Sequence, residues 1–97
     1  MTKHKMLIDG KLVESSSGKV YNVINPATEE VIGSAPQATT ADGQAAINAA
    51  FVAFNEWKNV DPWERSRLLR KVSLLIAERA DEIAKYITEE IGKPFAE

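Results

Sequence analysis

Carboxylates are the side chains best spaced to do chemistry in this chain, with Glu78, Asp81, Glu82, Glu89 and Glu90 strung along its C-terminal part. Paired carboxylates can divide general acid and base work between them. Acidic residues along a helix are also ordinary solvated surface, and that reading carries the greater weight. His4 is the only histidine, and no partner stands at metal-ligand spacing from it. Arg65, Arg67, Arg70 and Lys71 form a basic cluster of the kind that grips phosphate, but acidic neighbours and a net charge of -2 make it a mixed surface. Nucleic acid is therefore not an expected partner. The glycines at 10, 18, 33, 43 and 92 lie too far apart to cradle a phosphate. Gly92-Lys93 has the look of a Walker A ending only until Pro94, which stands where Ser or Thr should reach the metal. Cysteine is absent, which removes thiolate nucleophiles, thiolate metal sites and disulfides. The residues by themselves supply no catalytic and no cofactor-binding constellation.

Composition bounds what can hold these residues in place. Ninety-seven residues make at most one small domain, burying about 65% of its unfolded surface. An apolar content of 44% and a charged content of 27% are ordinary for a globular chain. Met1-Thr2-Lys3-His4-Lys5 is basic, but only Met6-Leu7-Ile8 follows before Asp9, so no export signal is recognised and residues 1–5 are expected to be a disordered tail. No apolar run approaches the ~20 residues of a membrane helix. The expected setting is the cytoplasm, without a membrane partner.

The fold class expected is α/β, with N-terminal β-hairpins over residues 6–36 followed by about three α-helices over residues 39–92. Met6-Leu7-Ile8, Asp9-Gly10, Lys11-Leu12-Val13 reads as a tight hairpin. Val20 to Ile24 and Glu30 to Ser34 read as a second, turned by Asn25-Pro26. Four such strands make a thin sheet that needs a further layer. Thr39 or Thr40 opens a helix running to about Phe54. Asp61-Pro62-Trp63-Glu64 opens a longer helical stretch, which Ile91-Gly92-Lys93-Pro94 closes. Within that stretch the apolar face moves by roughly 75° between Leu68–Ile76 and Ile83–Ile91. A break is therefore expected around Arg79 to Asp81, with Asp81 capping the second piece. Trp57 and Trp63 read as packing anchors. The helix before them is apolar nearly all round, from Ala45 to Phe54, and such a helix is normally buried on more than one side. The chain should therefore be part of something larger.

These pieces resemble, in order, the N-terminal region of the NAD(P)-dependent aldehyde dehydrogenase superfamily. The likeness runs from about Met6 to Glu97. It rests on Ile8-Asp9-Gly10, on Asn25-Pro26-Ala27-Thr28 followed by Glu30-Val31-Ile32, and on Ala49-Ala50-Phe51 leading to Trp57. Arg65 with Leu68-Leu69, and Gly92-Lys93-Pro94, complete the series. Glu29 departs from it, because the family often has glycine in that turn.

The resemblance implies a fold with a dinucleotide-binding domain, a catalytic domain and an oligomerisation arm, of which residues 1–97 match the opening segment of the first. In that family a cysteine attacks an aldehyde, backbone and asparagine donors hold the oxyanion, and hydride passes to NAD or NADP. A glutamate then activates water to release the acid. Those groups lie downstream, so catalytic and cofactor-binding residues are both expected to be none here. Taken alone, the chain should be structural and inactive, binding neither NAD nor NADP tightly. Its expected partner is the remainder of an aldehyde dehydrogenase chain, or itself by self-association. The resemblance also implies a structural monovalent cation held by the backbone oxygens of Val23 and Ile24 and the side chain of Glu90, with oxygen donors suited to a hard cation. A surface role for Glu90 is the competing reading. A second functional reading is a stand-alone helical interaction module that kept the family's front end and binds a protein partner.

Overall fold

The computed structural model describes residues 2–96. Five short strands precede three helices: β1 (Thr2–Lys3), β2 (Met6–Ile8), β3 (Lys11–Val13), β4 (Val20–Ile24), β5 (Val31–Pro36), α1 (Thr40–Trp57), α2 (Pro62–Glu78) and α3 (Ala80–Ile91). β2 and β3 pair antiparallel, Met6 opposite Val13 and Ile8 opposite Lys11. Asp9 and Gly10 turn this hairpin with φ of 52° and 72°. Positive φ at both central positions is what a two-residue hairpin turn demands, and the Asp-Gly pair tolerates it.

β4 and β5 form the second hairpin, Tyr21 opposite Ala35 and Asn22 opposite Ser34. β5 starts one residue later than the expected strand and ends two residues later. The strands do not build one sheet: β1, β5 and β4 form a three-stranded sheet in that order, and β2 and β3 stand apart. The expected disordered tail over residues 1–5 is corrected here, Met1 lying outside the described residues. Thr2 and Lys3 pair in parallel with Gly33 and Ser34, and the His4 amide donates to the Ser34 carbonyl at 2.8 Å. Gly33 permits it, since a Cβ there would stand 2.5 Å from the Thr2 carbonyl oxygen.

The turn between β4 and β5 is closed by Asn25, whose Oδ1 accepts from the amides of Ala27 at 2.8 Å and Thr28 at 3.3 Å. Its last corner is Glu29, held at φ 62° with its amide donating to the Asn25 carbonyl. A side chain in this left-handed region costs roughly 1 kcal/mol, which glycine does not incur. Glu29→Gly is therefore expected to raise stability by about 0.5–1 kcal/mol. Thermal unfolding of the full-length protein in the two forms measures it, and a lower midpoint for the glycine form would show that the Glu29 side chain is needed in the turn.

The helices begin where their caps dictate. Thr39 and Asp42 form a reciprocal capping box at α1, and the Asp61 side chain accepts from the Trp63 amide at 2.8 Å ahead of α2. α1 runs three residues past Phe54. The break expected near Arg79 is present, with Arg79 at φ -101°, ψ 20° between α2 and α3. Asp81 does not cap α3, which is a correction. The chain bends at Arg79, so Asp81 falls inside the first turn, where it favours the helix only through the macrodipole. Gly92 ends α3 at φ 79°.

No large apolar side chain among the described residues is buried. The accessible surface is 7945 Å², against about 5,500 Å² for a compact chain of this mass. The Cα radius of gyration is 16.8 Å, against about 12.5 Å for a globular chain of this length. The body measures 47 × 36 × 15 Å, a slab about one layer thick. The β2–β3 hairpin lies over the Ala46, Ala49 and Ala53 side of α1. Phe51 on the same helix stays 66% exposed, and Trp63, read as an anchor, is 85% exposed.

Candidate functional site

The β4–β5 turn meets the end of α3. Gly92 abuts that turn: a Cβ at this position would lie 3.2 Å from the Ala27 Cβ and 3.4 Å from the Pro26 Cγ. The contact puts the C-terminal end of α3, which carries Glu90, beside the turn that follows Val23 and Ile24. The ladder is irregular between Val23 and Ile24, leaving Ile32 of β5 without a partner. Such bulges redirect backbone groups out of regular pairing.

β1 brings His4 to the same end of α3. Its Nε2 lies 4.0 Å from Oε1 of Glu90, and its ring meets Tyr86 edge-on with centroids 6.1 Å apart. Both members of the His4–Glu90 pair are part exposed, so the contact is weak. Among the described residues no group of three or more His, Cys, Asp or Glu side chains is arranged to hold a metal. A site built largely from backbone oxygens is of another kind.

The remaining candidates are spread out. Glu82, Lys85 and Glu89 of α3 face Asn25 and Glu30 across an open cleft of about 520 Å³. The chain has no cysteine or second histidine to bring to that cleft. Glu78 ends α2. In the basic cluster, Arg67 Nε donates to Glu64 Oε2 at 3.0 Å. That hydrogen bond holds the Glu64 carboxyl below its ordinary range and raises Arg67. Both are open to solvent, so the pair offsets the charge of Arg67 without stabilising much.

A polar latch between the two hairpins and α1 was not foreseen. Asp42 Oδ2 accepts from the Thr39 amide at 2.9 Å and the Ser16 amide at 3.2 Å. Ser15 is 7% exposed, and its hydroxyl donates to the Gln37 carbonyl at 2.6 Å. With its one proton used there, the 3.3 Å approach of Ser15 Oγ to Asp42 is no second full bond. The Thr39 amide, followed by the Ser16 donors, lowers Asp42 from 3.8 to about 2. A depressed carboxyl stabilises above its unfolded value and loses that contribution as pH falls through its folded value. The latch should hold above about pH 4 and release towards pH 2. In the full-length protein the protection of the Thr39 and Ser16 amides, relative to their intrinsic exchange at each pH, should fall across that window, and in Asp42→Ala it should be low at every pH. Amides that stay equally protected from pH 5 to pH 2 would contradict the latch.

Residues 12–97 match the aldehyde dehydrogenase family. The chain belongs to that family. It is 46% identical over 93 residues to the human mitochondrial methylmalonate-semialdehyde/malonate-semialdehyde dehydrogenase [acylating], covering 96% of this chain and 17% of the relative. It is 45% identical to malonate-semialdehyde dehydrogenase 2 of Oceanobacillus iheyensis, covering 96% and 19%. The NADP-dependent glyceraldehyde-3-phosphate dehydrogenase of Bacillus halodurans, solved with NADP, superposes with a TM-score of 0.96 at 30% identity, over 99% of this chain and 20% of that one. The chain thus spans less than a fifth of the curated relatives it matches, and corresponds to the opening segment of the aldehyde dehydrogenase fold.

Proposed function

We propose that these residues form the outer layer that opens the dinucleotide-binding domain of an NAD(P)-dependent aldehyde dehydrogenase, with a structural and not a catalytic task. The observation that carries this is the slab itself: a family segment with no buried apolar side chain among its described residues needs another layer against it. The nucleophilic cysteine, the oxyanion donors and the NAD or NADP site belong to the rest of the enzyme, where the nicotinamide takes up hydride from the substrate. The relatives' names favour a malonate-type semialdehyde as the aldehyde oxidised. The partner is the remainder of such a chain, with self-association as the fate of the segment alone. Neither nucleic acid nor a membrane is a partner in this reading; no helix among the described residues is long and apolar enough to cross a membrane. The cytoplasm is the proposed compartment, although the human relative is named as mitochondrial.

Val23, Ile24 and Glu90 are kept as part of a monovalent cation site of the complete enzyme. The irregular ladder at Val23/Ile24 and the docking of α3 on the turn support it. A dependence of the enzyme's unfolding temperature on potassium or sodium that disappears in Glu90→Gln is the result this reading expects.

The module reading has no support: a module that folds by itself should have a core, and large apolar side chains on all three helices are exposed instead. The experiment is a dehydrogenase assay with malonate semialdehyde and either NAD or NADP. The 97-residue chain should show no cofactor reduction, and the longer protein carrying it should be active. Cofactor reduction by the short chain alone would overturn the proposal.

A further inference from the structure

Arg65 is set apart from the other basic residues of α2 by where it lies. On a helix it falls about 40° from Leu69 and about 20° from Val72, so it shares the stripe formed with Leu68 and Ile76 and not the face of Arg67 and Arg70. Leu69 and Ile76 of that stripe are 63% and 55% exposed, whereas Arg65 is partly buried. Its Nε is shut off from solvent and has no hydrogen-bond partner. Arg67 is neutralised by Glu64, but no carboxylate is recorded against Arg65 among the described residues. The stem is thus packed into the chain, and the end of the guanidinium is left for something outside it.

We infer that the layer covering this stripe presents a carboxylate to Arg65. The inference rests on the reading that such a layer belongs to the complete enzyme, and it specifies the chemistry of that layer. A cation on a closing apolar interface is tolerated only when paired, and a planar guanidinium matches a carboxylate through two parallel N–H bonds. An apolar segment without an acid would cover Leu69 and Ile76 equally well but strand the charge. Arg65 therefore fixes where along the stripe the partner segment sits.

The test uses the full-length protein. In R65K, a carbodiimide that joins amines to carboxylates without a spacer should link the lysine introduced at this position to one Asp or Glu beyond residue 97, read by peptide mass spectrometry. No link at position 65 in a folded R65K protein, or a link only to residues within 1–97, overturns the inference. A crystal structure of the unsubstituted protein reads the same contact without relying on a variant. A carboxylate oxygen from beyond residue 97 within about 4 Å of the guanidinium supports the inference, and a guanidinium in water, against carbonyls alone or paired within 1–97 overturns it. Should the intact native protein have the mass of this chain alone, the proposed function fails and takes this inference with it. A longer protein with Arg65 unpaired sinks the inference and leaves the proposed function standing.

Discussion

Phe51→Asp is expected to leave the isolated chain as soluble as before, or more so, and to abolish accumulation of folded full-length enzyme. The two outcomes follow from one number, the 66% exposure of Phe51 in this chain. In the isolated segment the ring is already in water for the most part, so exchanging it for a carboxylate removes apolar surface and adds charge. If the rest of the enzyme covers α1, the same exchange loses a buried aromatic ring, worth about 3–5 kcal/mol, and buries an unpaired charge as well. Native domains have only about 5–15 kcal/mol in total. Soluble yield and unfolding temperature, measured for both lengths, give the comparison. Equal tolerance at both lengths would mean that α1 faces solvent in the complete enzyme, contrary to the layer reading.

Gly92→Ala is expected to be the most damaging single-methyl change among the chain's glycines that end a turn or helix. At φ 79° an alanine is strained by about 1–2 kcal/mol. Its methyl would also stand 3.2 Å from Ala27 and 3.4 Å from Pro26, so the β4–β5 turn must give way. A loss of about 2 kcal/mol in the full-length enzyme is expected. Gly43→Ala supplies the control, since Gly43 lies within α1 with nothing within 4 Å of the added methyl. There an added methyl meets nothing within residues 2–96, and helix propensity favours alanine by up to about 1 kcal/mol. Chemical denaturation of both variants separates the effects, and equal responses would remove the argument from turn docking.

Local chemistry made much of this fold legible. The Asp9-Gly10 turn, the Asp61-Pro62 start of α2 and the left-handed stop at Gly92 each follow from what one or two side chains permit, and each lies where sequence reasoning put it. The shift of the apolar face between Leu68–Ile76 and Ile83–Ile91 located the break at Arg79 because a continuous helix cannot turn its face by that much. What escaped depends on contacts across long stretches of chain. β1 exists because Gly33, some thirty residues on, lets the Thr2 carbonyl approach, and Thr2-Lys3 carries no strand signal of its own. Nothing in the sequence marks Asp42 as the acceptor for Ser16, twenty-six residues away.

The candidate site was readable only through the family's ordered motifs. Val23, Ile24 and Glu90 have nothing in their types or spacing to join them; the docking of Gly92 against Pro26 and Ala27 explains why their elements lie close. His4 looked isolated for the same reason, and it stands beside Glu90 and Tyr86 because β1 is paired. Residues 1–97 hold no cysteine, the residue type that supplies this family's nucleophile.

Differential scanning calorimetry of the isolated 97-residue chain, with its mass in solution followed by light scattering, tests most directly whether this is one layer of a larger fold. The account predicts no cooperative heat absorption, binding of a hydrophobic dye and self-association with rising concentration. A monodisperse monomer melting in one transition, with an enthalpy of about 60–80 kcal/mol as expected for an independent domain of this length, would contradict it.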